Sequence, residues 1–211
     1  VAYLYPGMDV CAVENINLKI KTGDYIGIIG PSGSGKTTLL NLLLGLIKPK
    51  TGKILFNEKS LEEGIKQWQK NIAYIPQDIF ILDETLKANI AFGQTNINDE
   101  LVDKAIKKAN LEILVNSLPH GVETLLGDSG AKLSGGQKQR VALARAFYFE
   151  RSVIIMDEST SALDKETEKE IMQEVGNLPE DVTVIIVTHS VEVVQKCSKI
   201  FKLSANGLIG L

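Results

Sequence analysis

Several features that define whole protein classes are scarce in this sequence of 211 residues. Its 2 cysteines stand in no paired motif, which excludes the dense disulfide framework of small secreted domains. Buried, reduced thiols at Cys11 and Cys197 are favoured over a disulfide between them, which the sequence alone leaves open. Reduced cysteines are typical of a cytosolic protein.

An excess of charge of one sign is also missing. The net charge is −3, from 23 basic and 26 acidic residues that are mixed along the chain. Such a balance gives no general attraction to nucleic acid or to anionic lipid, so we expect no nucleic-acid partner.

No hydrophobic run is long enough to cross a membrane. The strongest apolar stretch, residues 39–47, is too short for a transmembrane helix and contains Asn41. From the opening residues VAYLYPG we expect no signal peptide in this sequence. We therefore expect any membrane role to come from a partner or from a further segment of a longer polypeptide.

What the sequence does contain is an alternation of apolar strands and helices. Strands are predicted over 13–20, 25–29, 53–56, 71–75, 153–156, 182–187 and 199–203, and helices over 36–46, 84–91, 99–109, 111–117, 136–149 and 165–175. This order predicts an α/β fold around a mostly parallel sheet, with an antiparallel β subdomain near the N-terminus. The helix-rich stretch 78–135 is interpreted as a helical subdomain inserted into a single domain, 1–211.

The segment GPSGSGKT, residues 30–37, fits the phosphate-loop pattern G-x-x-x-x-G-K-[ST] between a predicted strand and a predicted helix. Glycines let the backbone aim several N–H groups at phosphate oxygens, and the helix N-terminus adds a favourable dipole. We expect Lys36 to hold the β- and γ-phosphates and Thr37 to ligate Mg²⁺. A glycine turn that binds nothing is the alternative. The residues expected to contact ATP here are Gly30, Ser32, Gly33, Ser34, Gly35, Lys36, Thr37 and Thr38.

An acidic pair follows the apolar strand predicted at 153–156. Asp157, at the strand end, can lie near Mg²⁺ if that strand borders the phosphate loop. Glu158 can orient or deprotonate an attacking water, because a carboxylate is ionised near neutral pH. Taken alone, an apolar run followed by Asp-Glu is equally well explained by a solvated strand end.

The run LSGGQ at 133–137 distinguishes this sequence from generic phosphate-loop kinases and GTPases. Ser134 and the N–H groups of Gly135 and Gly136, with Gln137 following, are predicted to form a second anion-binding surface at a helix start. An ordinary N-cap followed by two glycines is the alternative.

Together, the phosphate loop, the LSGGQ run and the acidic pair resemble the ATP-binding cassette (ABC) family, the ATPase halves of ABC transporters. The resemblance covers the chain from Tyr5 to about Gly207 and implies a P-loop NTPase core that binds ATP and Mg²⁺. In that family the LSGGQ run of one subunit closes over the phosphate loop of the other. It therefore implies an ATP-dependent, head-to-tail homodimer.

Further positions match motifs of the same family. Gln77, in AYIPQD, matches the Q-loop glutamine, which can contact Mg²⁺ and the attacking water. SALD at 161–164 matches the D-loop, which crosses the dimer interface and places Asp164 near nucleotide. His189 matches the switch histidine at the γ-phosphate, and Tyr5 matches the aromatic residue that stacks on adenine.

The resemblance implies catalytic roles for Glu158, His189 and Lys36. Glu158 suits the role of catalytic base, since its carboxylate is ready to accept a proton. His189 is better suited to bracing the γ-phosphate and sensing its loss.

Two segments are similar to exporter-type cassettes: QDIFILDETLKANIAFG at 77–93 and LLGDSGAKLSGG at 125–136. The second departs from the common form at Asp128 and Ser129, and DEST replaces the commoner DEAT at 157–160. The exporter resemblance implies a transmembrane domain in the same polypeptide. It places this domain, soluble when isolated, at the cytoplasmic face of the inner membrane. Among exporters, the sequence resembles bacterial flippases for lipid-linked oligosaccharides. An ATPase domain does not contact the cargo, and multidrug, lipid A and peptide exporters have nearly the same motor, so these alternatives stay open.

Three alternatives remain to be weighed. A soluble ABC ATPase of translation or DNA maintenance usually carries two cassettes or a long coiled coil, and neither is present. A regulatory module that holds ATP without turnover typically loses one of Lys36, Ser134, Asp157, Glu158 or His189. A phosphate-loop kinase of small molecules would lack the LSGGQ run. The motor domain of a transporter is therefore the favoured hypothesis.

Overall fold

The computed structural model describes residues 1–127, 130–160 and 163–211. The chain divides into two compact units, one formed by Val1–Ile72 with Pro179–Leu211 and the other by Ala73–Leu178. The first unit is thus discontinuous in sequence, and the second is one continuous stretch. The inserted helical subdomain at 78–135 stays a prediction.

Both units contain strands and helices. The strands are β1 (Tyr25–Ile29), β2 (Leu55–Phe56), β3 (Lys59–Ser60), β4 (Ile72–Ile75), β5 (Val153–Asp157), β6 (Thr183–Thr188), β7 (Lys199–Ser204) and β8 (Gly207–Gly210). The helices are α1 (Lys36–Leu43), α2 (Leu61–Asn71), α3 (Leu86–Ile90), α4 (Asp99–Lys108), α5 (Glu112–Ser117), α6 (Gly135–Tyr148), α7 (Lys165–Gly176) and α8 (Val191–Val194). A 3-10 turn occupies Gly121–Glu123.

The sheet of the first unit has β1 at its centre. β1 pairs in parallel with β6 on one side and with β7 on the other, while β8 is antiparallel to β7. Ile26 and Ile28 of β1 are fully buried, and Val184–Val187 of β6 are buried as well. Continuous apolar strands of this kind are typical of parallel strands covered on both faces. The predicted α/β fold with a mainly parallel sheet is confirmed.

Helix α1 ends three residues before the predicted boundary at 46. The N–H of Gly45 bonds to the carbonyl of Leu42, and the N–H of Leu46 bonds to that of Asn41. Gly45 has φ of 69°, so this is the left-handed helix ending in which glycine is favoured. Leu39, Leu40 and Leu42 of the helix are buried.

The strand predicted over 13–20 is wrong. Only Val13 takes part in an isolated antiparallel bridge, with Tyr3. Asn15 adopts the left-handed conformation, with φ of 52°. This turn interrupts the extended backbone that a strand requires, so the apolar alternation of the segment does not become a ladder.

The predicted antiparallel β subdomain is present as a two-stranded sheet of β2 and β3. Helix α2 follows β3 directly and was not predicted. Trp68 of α2 donates its indole N–H to the Leu43 carbonyl at 2.7 Å, which ties α2 to the end of α1.

In the second unit, β4 and β5 are neighbours in the sheet. Helix α6, the longest described helix of this unit at 14 residues, has a largely buried face that includes Val141, Leu143 and Ala144. The helices predicted near 84–91, 99–109, 111–117, 136–149 and 165–175 are found as α3 to α7, with small shifts at their ends.

Both cysteines are free, as predicted, but they are half-buried rather than buried. Burial raises the pKa of Cys197 to about 12, so its thiol stays protonated and unreactive at neutral pH.

Candidate functional site

The predicted phosphate loop connects the carboxyl end of β1 to the start of α1 in the first unit. Gly35, the N-cap of α1, has φ of 93°, and a Cβ at this position would overlap the Ala12 carbonyl. Glycine is therefore required at this position by both backbone conformation and space. Ser32, Gly33 and Thr37 are exposed, so this part of the loop is open to a ligand.

The Lys36 side chain bonds to the backbone of the phosphate loop. The side chain is 9% exposed, and Nζ donates to the carbonyls of Gly30 at 2.9 Å and Pro31 at 3.1 Å. The ammonium group is thus held beside the backbone that is predicted to cradle phosphate. Ser34 has a buried hydroxyl oxygen with no hydrogen-bond partner among the described residues. A hydroxyl without a partner inside a glycine-rich loop is compatible with a ligand oxygen as its missing partner.

Tyr5 lies near the beginning of α1. The Tyr5 hydroxyl and Thr38 Oγ1 are 3.3 Å apart. The Tyr5 ring stands edge-on to the Tyr3 ring, with centroids 4.9 Å apart, and the side chain is 38% exposed. An accessible aromatic face beside the phosphate loop suits the stacking role predicted for Tyr5.

His189 follows β6 at the same sheet edge at which the phosphate loop begins. In the parallel register, Ile29 lies opposite Thr188, so Gly30 and His189 both come directly after paired positions. The backbone N–H of Ser190 donates to Thr188 Oγ1 at 3.0 Å, which makes a tight turn around an exposed His189. Loops that leave the carboxyl ends of parallel strands form the usual ligand site of α/β proteins.

In the second unit, the predicted Mg²⁺ ligand Asp157 ends β5 and accepts a hydrogen bond that the sequence analysis missed. The hydroxyl of Tyr74, on β4, donates to Asp157 Oδ2 at 3.0 Å. Burial, and next the neighbouring Asp157 charge, raise the pKa of Tyr74. Gln77 is exposed, three positions beyond Tyr74.

Glu158 has φ of 44°, a left-handed conformation that is uncommon for a residue other than glycine. The following residue, Ser159, is buried and accepts a hydrogen bond from Gln139 Nε2 at 3.1 Å. Gln139 is fully buried on α6, so this side-chain bond joins the helix to the residue that follows Glu158.

The LSGGQ run begins α6, and its serine is the N-cap. The N–H of Gln137 donates to Ser134 Oγ at 3.3 Å, while the N–H of Ser134 donates to Gln137 Oε1 at 2.9 Å. This reciprocal pair is a capping box. Ser134 and Gly135 are exposed, so an anion can reach this end of the helix there, whereas Gly136 is buried.

Asp164 is the N-cap of α7. Its carboxylate accepts from the N–H groups of Glu166 at 3.1 Å and Thr167 at 3.0 Å, and from the Thr167 hydroxyl at 2.7 Å. These bonds, led by that from the Thr167 backbone, lower the pKa of Asp164. Capping accounts for this residue without a ligand, and its nucleotide role stays a prediction. Ser161 and Ala162 of the predicted D-loop, like Asp128 and Ser129 upstream, lie outside the described residues.

Arg145 of α6 holds a cluster that the sequence analysis did not single out. Its guanidinium donates to the carbonyls of Phe80 at 2.7 Å and Asn89 at 2.8 Å and to Asn89 Oδ1 at 3.0 Å, and lies over the Phe92 ring. Burial lowers the pKa of Arg145 to about 10, so it is still a cation at neutral pH. The cluster ties the segment 80–92 to the helix that begins with LSGGQ.

The structure thus groups the candidate residues by unit. The first unit contains Tyr5, Gly30, Ser32, Gly33, Ser34, Gly35, Lys36, Thr37, Thr38 and His189. The second unit contains Gln77, Ser134, Gly135, Gly136, Gln137, Asp157, Glu158 and Asp164.

A parallel sheet whose central strand runs into a glycine-rich loop and a helix defines the class of P-loop α/β proteins. The family model described as ABC transporter matches residues 13–161. The chain therefore belongs to the ABC transporter family, as its ATP-binding ATPase domain.

Individual relatives agree with this assignment. The chain is 35% identical over 99% of its length to an ATP-dependent lipid A-core flippase of Ralstonia nicotianae. It is 37% identical over 93% of its length to YwjA, an uncharacterised ABC transporter ATP-binding protein of Bacillus subtilis. A bacterial Atm1-family ABC exporter, solved with ATP bound, matches 99% of the chain with a TM-score of 0.88 and 30% identity.

These relatives are much longer than the chain. It spans 36% of the Ralstonia flippase, 34% of the Bacillus protein and 37% of the solved exporter. Among the described residues, no helix is both long and apolar enough to span a membrane.

Proposed function

We propose that this chain is the ATP-hydrolysing motor domain of an exporter-type ABC transporter. The observation that carries the proposal is the register of β1 and β6, which puts the phosphate loop and His189 at one sheet edge. In this proposal, N–H groups of the loop and the Lys36 ammonium bind the phosphates of ATP, Tyr5 stacks on adenine, and His189 braces the γ-phosphate. The ATP-bound Atm1-family exporter supports this assignment through its fold.

Mg²⁺ fits the chemistry of the remaining candidates. Thr37, Gln77 and Asp157 offer hydroxyl, amide and carboxylate oxygens, the donors that Mg²⁺ prefers. Mg²⁺ takes few protein ligands and completes its shell with phosphate oxygens and water. When bound, it neutralises charge that develops on the phosphates.

Glu158 is proposed as the base that orients and deprotonates the attacking water. A glutamate carboxylate can act as a general base, and the side chain of the following residue, Ser159, is held by a hydrogen bond from Gln139. In a second copy of the domain, Ser134 and the N–H groups of Gly135 and Gly136 would complete the site, which gives an ATP-dependent head-to-tail homodimer.

The motor is proposed to act with a transmembrane domain at the cytoplasmic face of the cell membrane. The length of the relatives supports this partner, because the matched region is only about a third of each. The proposed cargo is a lipid-linked oligosaccharide, and the relatives named lipid A-core flippases support a lipid-bearing cargo.

Replacement of the base tests the proposal. We expect Glu158→Gln to bind ATP as the wild type does and to lose at least about 100-fold in phosphate release, because an amide cannot accept the proton. Glu150→Gln is the matched control, since Glu150 also has positive φ, 50°, in the same unit and should keep wild-type turnover. Near-normal hydrolysis by Glu158→Gln would remove Glu158 from the role of base.

Size-exclusion chromatography of the Glu158→Gln chain tests the dimer. Without nucleotide we expect a monomer, and with ATP and Mg²⁺ a shift to dimer, because the unhydrolysed nucleotide keeps the interface closed. Adding Ser134→Ala to this variant should abolish the shift. A shift that survives this second substitution would contradict a nucleotide bound by the LSGGQ serine.

A further inference from the structure

Tyr74 is a residue for which the motif analysis has no role, and its hydroxyl lies 3.0 Å from the carboxylate proposed to hold Mg²⁺. We infer that Tyr74 is a positioning residue, which fixes the orientation of the Asp157 carboxylate for the cation. The inference rests on the proposed function of Asp157 and adds a residue to it.

The orientation of the carboxylate is not fixed by its own torsional preference. The last torsion of an aspartate side chain joins sp³ and sp² carbons and has a broad energy profile. Asp157 also stands at the end of β5, where the buried run of the strand gives way to a half-buried position. A hydroxyl that donates to Oδ2 favours one orientation of this group over the others.

Tyr74 is well placed to be that donor. It belongs to β4, the neighbour of β5 in the sheet, and is flanked in the strand by Ile75, which is 1% exposed. A strand backbone and a rigid ring with two torsions hold the hydroxyl at low cost in conformational entropy. The contact therefore depends on the sheet rather than on a loop.

The bond from Tyr74 to Asp157 is an ordinary hydrogen bond, with a length of 3.0 Å. A carboxylate has about four acceptor sites, so a hydroxyl that donates to Oδ2 leaves further sites with which the group can meet a divalent cation. Partners of metal-binding side chains typically change metal affinity by about 10- to 100-fold when they are removed.

The test is the Mg²⁺ dependence of nucleotide binding by the 211-residue chain. Binding of a fluorescent, non-hydrolysable ATP analogue is titrated in EDTA and across a series of free Mg²⁺ concentrations. For Tyr74→Phe we expect the Mg²⁺ concentration at half-effect to rise about 10-fold, with the affinity in EDTA unchanged. Removal of one oxygen atom from a 42% exposed side chain leaves the fold intact.

Tyr25→Phe is the matched control. Tyr25 begins β1, and its buried hydroxyl has no hydrogen-bond partner among the described residues, so its removal should leave the Mg²⁺ titration unchanged. In an Asp157→Asn background, Tyr74→Phe should have no further effect, because the carboxylate that it orients is gone.

The outcomes distinguish a failure of the Tyr74 inference from a failure of the proposed nucleotide binding. Suppose that Mg²⁺ strengthens nucleotide binding by the wild type. If Tyr74→Phe then reaches half of that effect at an equal or lower Mg²⁺ concentration, the positioning role is wrong. It is also wrong if Tyr74→Phe weakens binding equally in EDTA, since Tyr74 would then act on nucleotide or fold. A wild type that binds no nucleotide with or without Mg²⁺ rejects the proposed function, and the inference with it.

Discussion

At the scale of single residues, Glu158 is held by its neighbours rather than by its own conformational preference. Its φ of 44° costs free energy for a side chain with a Cβ, so the surrounding contacts must maintain it. Two described bonds involve the residues that flank it, from Gln139 to Ser159 and from Tyr74 to Asp157. Gln139 is fully buried, and its Oε1 has no partner among the described residues.

We predict that Ser159→Ala lowers the free energy of unfolding by about 1–3 kcal/mol, because it leaves the buried amide of Gln139 without an acceptor. Urea unfolding of the variant measures the change. The double variant with Gln139→Leu should recover most of the loss, since replacing both partners by apolar groups is nearly neutral. An exposed serine replaced in the same way, Ser117→Ala, should shift stability by less than about 0.5 kcal/mol. A loss that Gln139→Leu fails to reverse would contradict this account.

The sequence was sufficient to predict Glu158 as a candidate but not the residues that hold it. Glu158 belongs to a local pattern, an apolar run followed by two acids, whereas Gln139 meets Ser159 only because α6 packs beside the end of β5. Tyr74 and Asp157 are 83 residues apart and meet for a similar reason. Contacts between distant segments leave no periodic signal in one sequence.

At the scale of elements, α6 begins with a serine that has two possible tasks. Ser134 Oγ accepts from the N–H of Gln137 within the capping box. Its hydroxyl proton is not used by that bond, so one side chain can cap the helix and also donate to a phosphate oxygen. The N-cap interpretation, weighed as the alternative to anion binding, is therefore correct in structure and compatible with the proposed role.

We predict that Ser134→Ala lowers the free energy of unfolding by about 1 kcal/mol through loss of the cap and also reduces ATP turnover. The matched control is Asn98→Ala, which removes the N-cap of α4, where Asn98 Oδ1 accepts from the N–H of Leu101 at 3.2 Å. It should cost a similar free energy and leave turnover unchanged. Thermal unfolding and phosphate release, measured on both variants, separate the two tasks. Equal turnover in the two variants would argue for a cap alone.

Helices and strands with local signals were predicted well, and those that depend on distant partners were not. LSGGQ gave the start of α6 to within one residue, because capping is a property of neighbouring positions. The alternation at 13–20 gave a false strand, because Asn15 turns the backbone away from an extended path. Strand β8 was missed, since its pairing with β7 is the main reason for its extended form.

At the scale of the whole molecule, stability depends on pH through an ion pair in the first unit. Lys199 Nζ lies 2.6 Å from both carboxylate oxygens of Asp24, which is 13% exposed, so the pair joins the residue before β1 to the first residue of β7. Burial alone would raise the pKa of Asp24. The hydrogen bond from Lys199 and that from the Lys21 N–H outweigh burial and hold the pKa below its ordinary value.

We predict that the wild type loses stability as the pH falls below about 4. The folded state has the lower pKa, so the contribution is complete above the pKa of the unfolded chain and disappears as the pH falls through that of the folded chain. The free energy of unfolding, measured in urea between pH 6 and pH 3, should fall less steeply for Asp24→Asn than for the wild type. Asp9→Asn, at an exposed position, is the control and should keep the wild-type slope. Identical slopes for all three chains would remove Asp24 from this role.

During synthesis, strand β1 is made long before the strands with which it pairs. Both neighbours of this strand come from the last part of the sequence, and Ile29 meets Thr188 only after 159 further residues have been added. At about 5–20 residues per second, a ribosome needs roughly 8–30 s to supply them. During that interval an apolar strand has two unpaired edges in the crowded cell, the situation in which chaperones protect nascent chains.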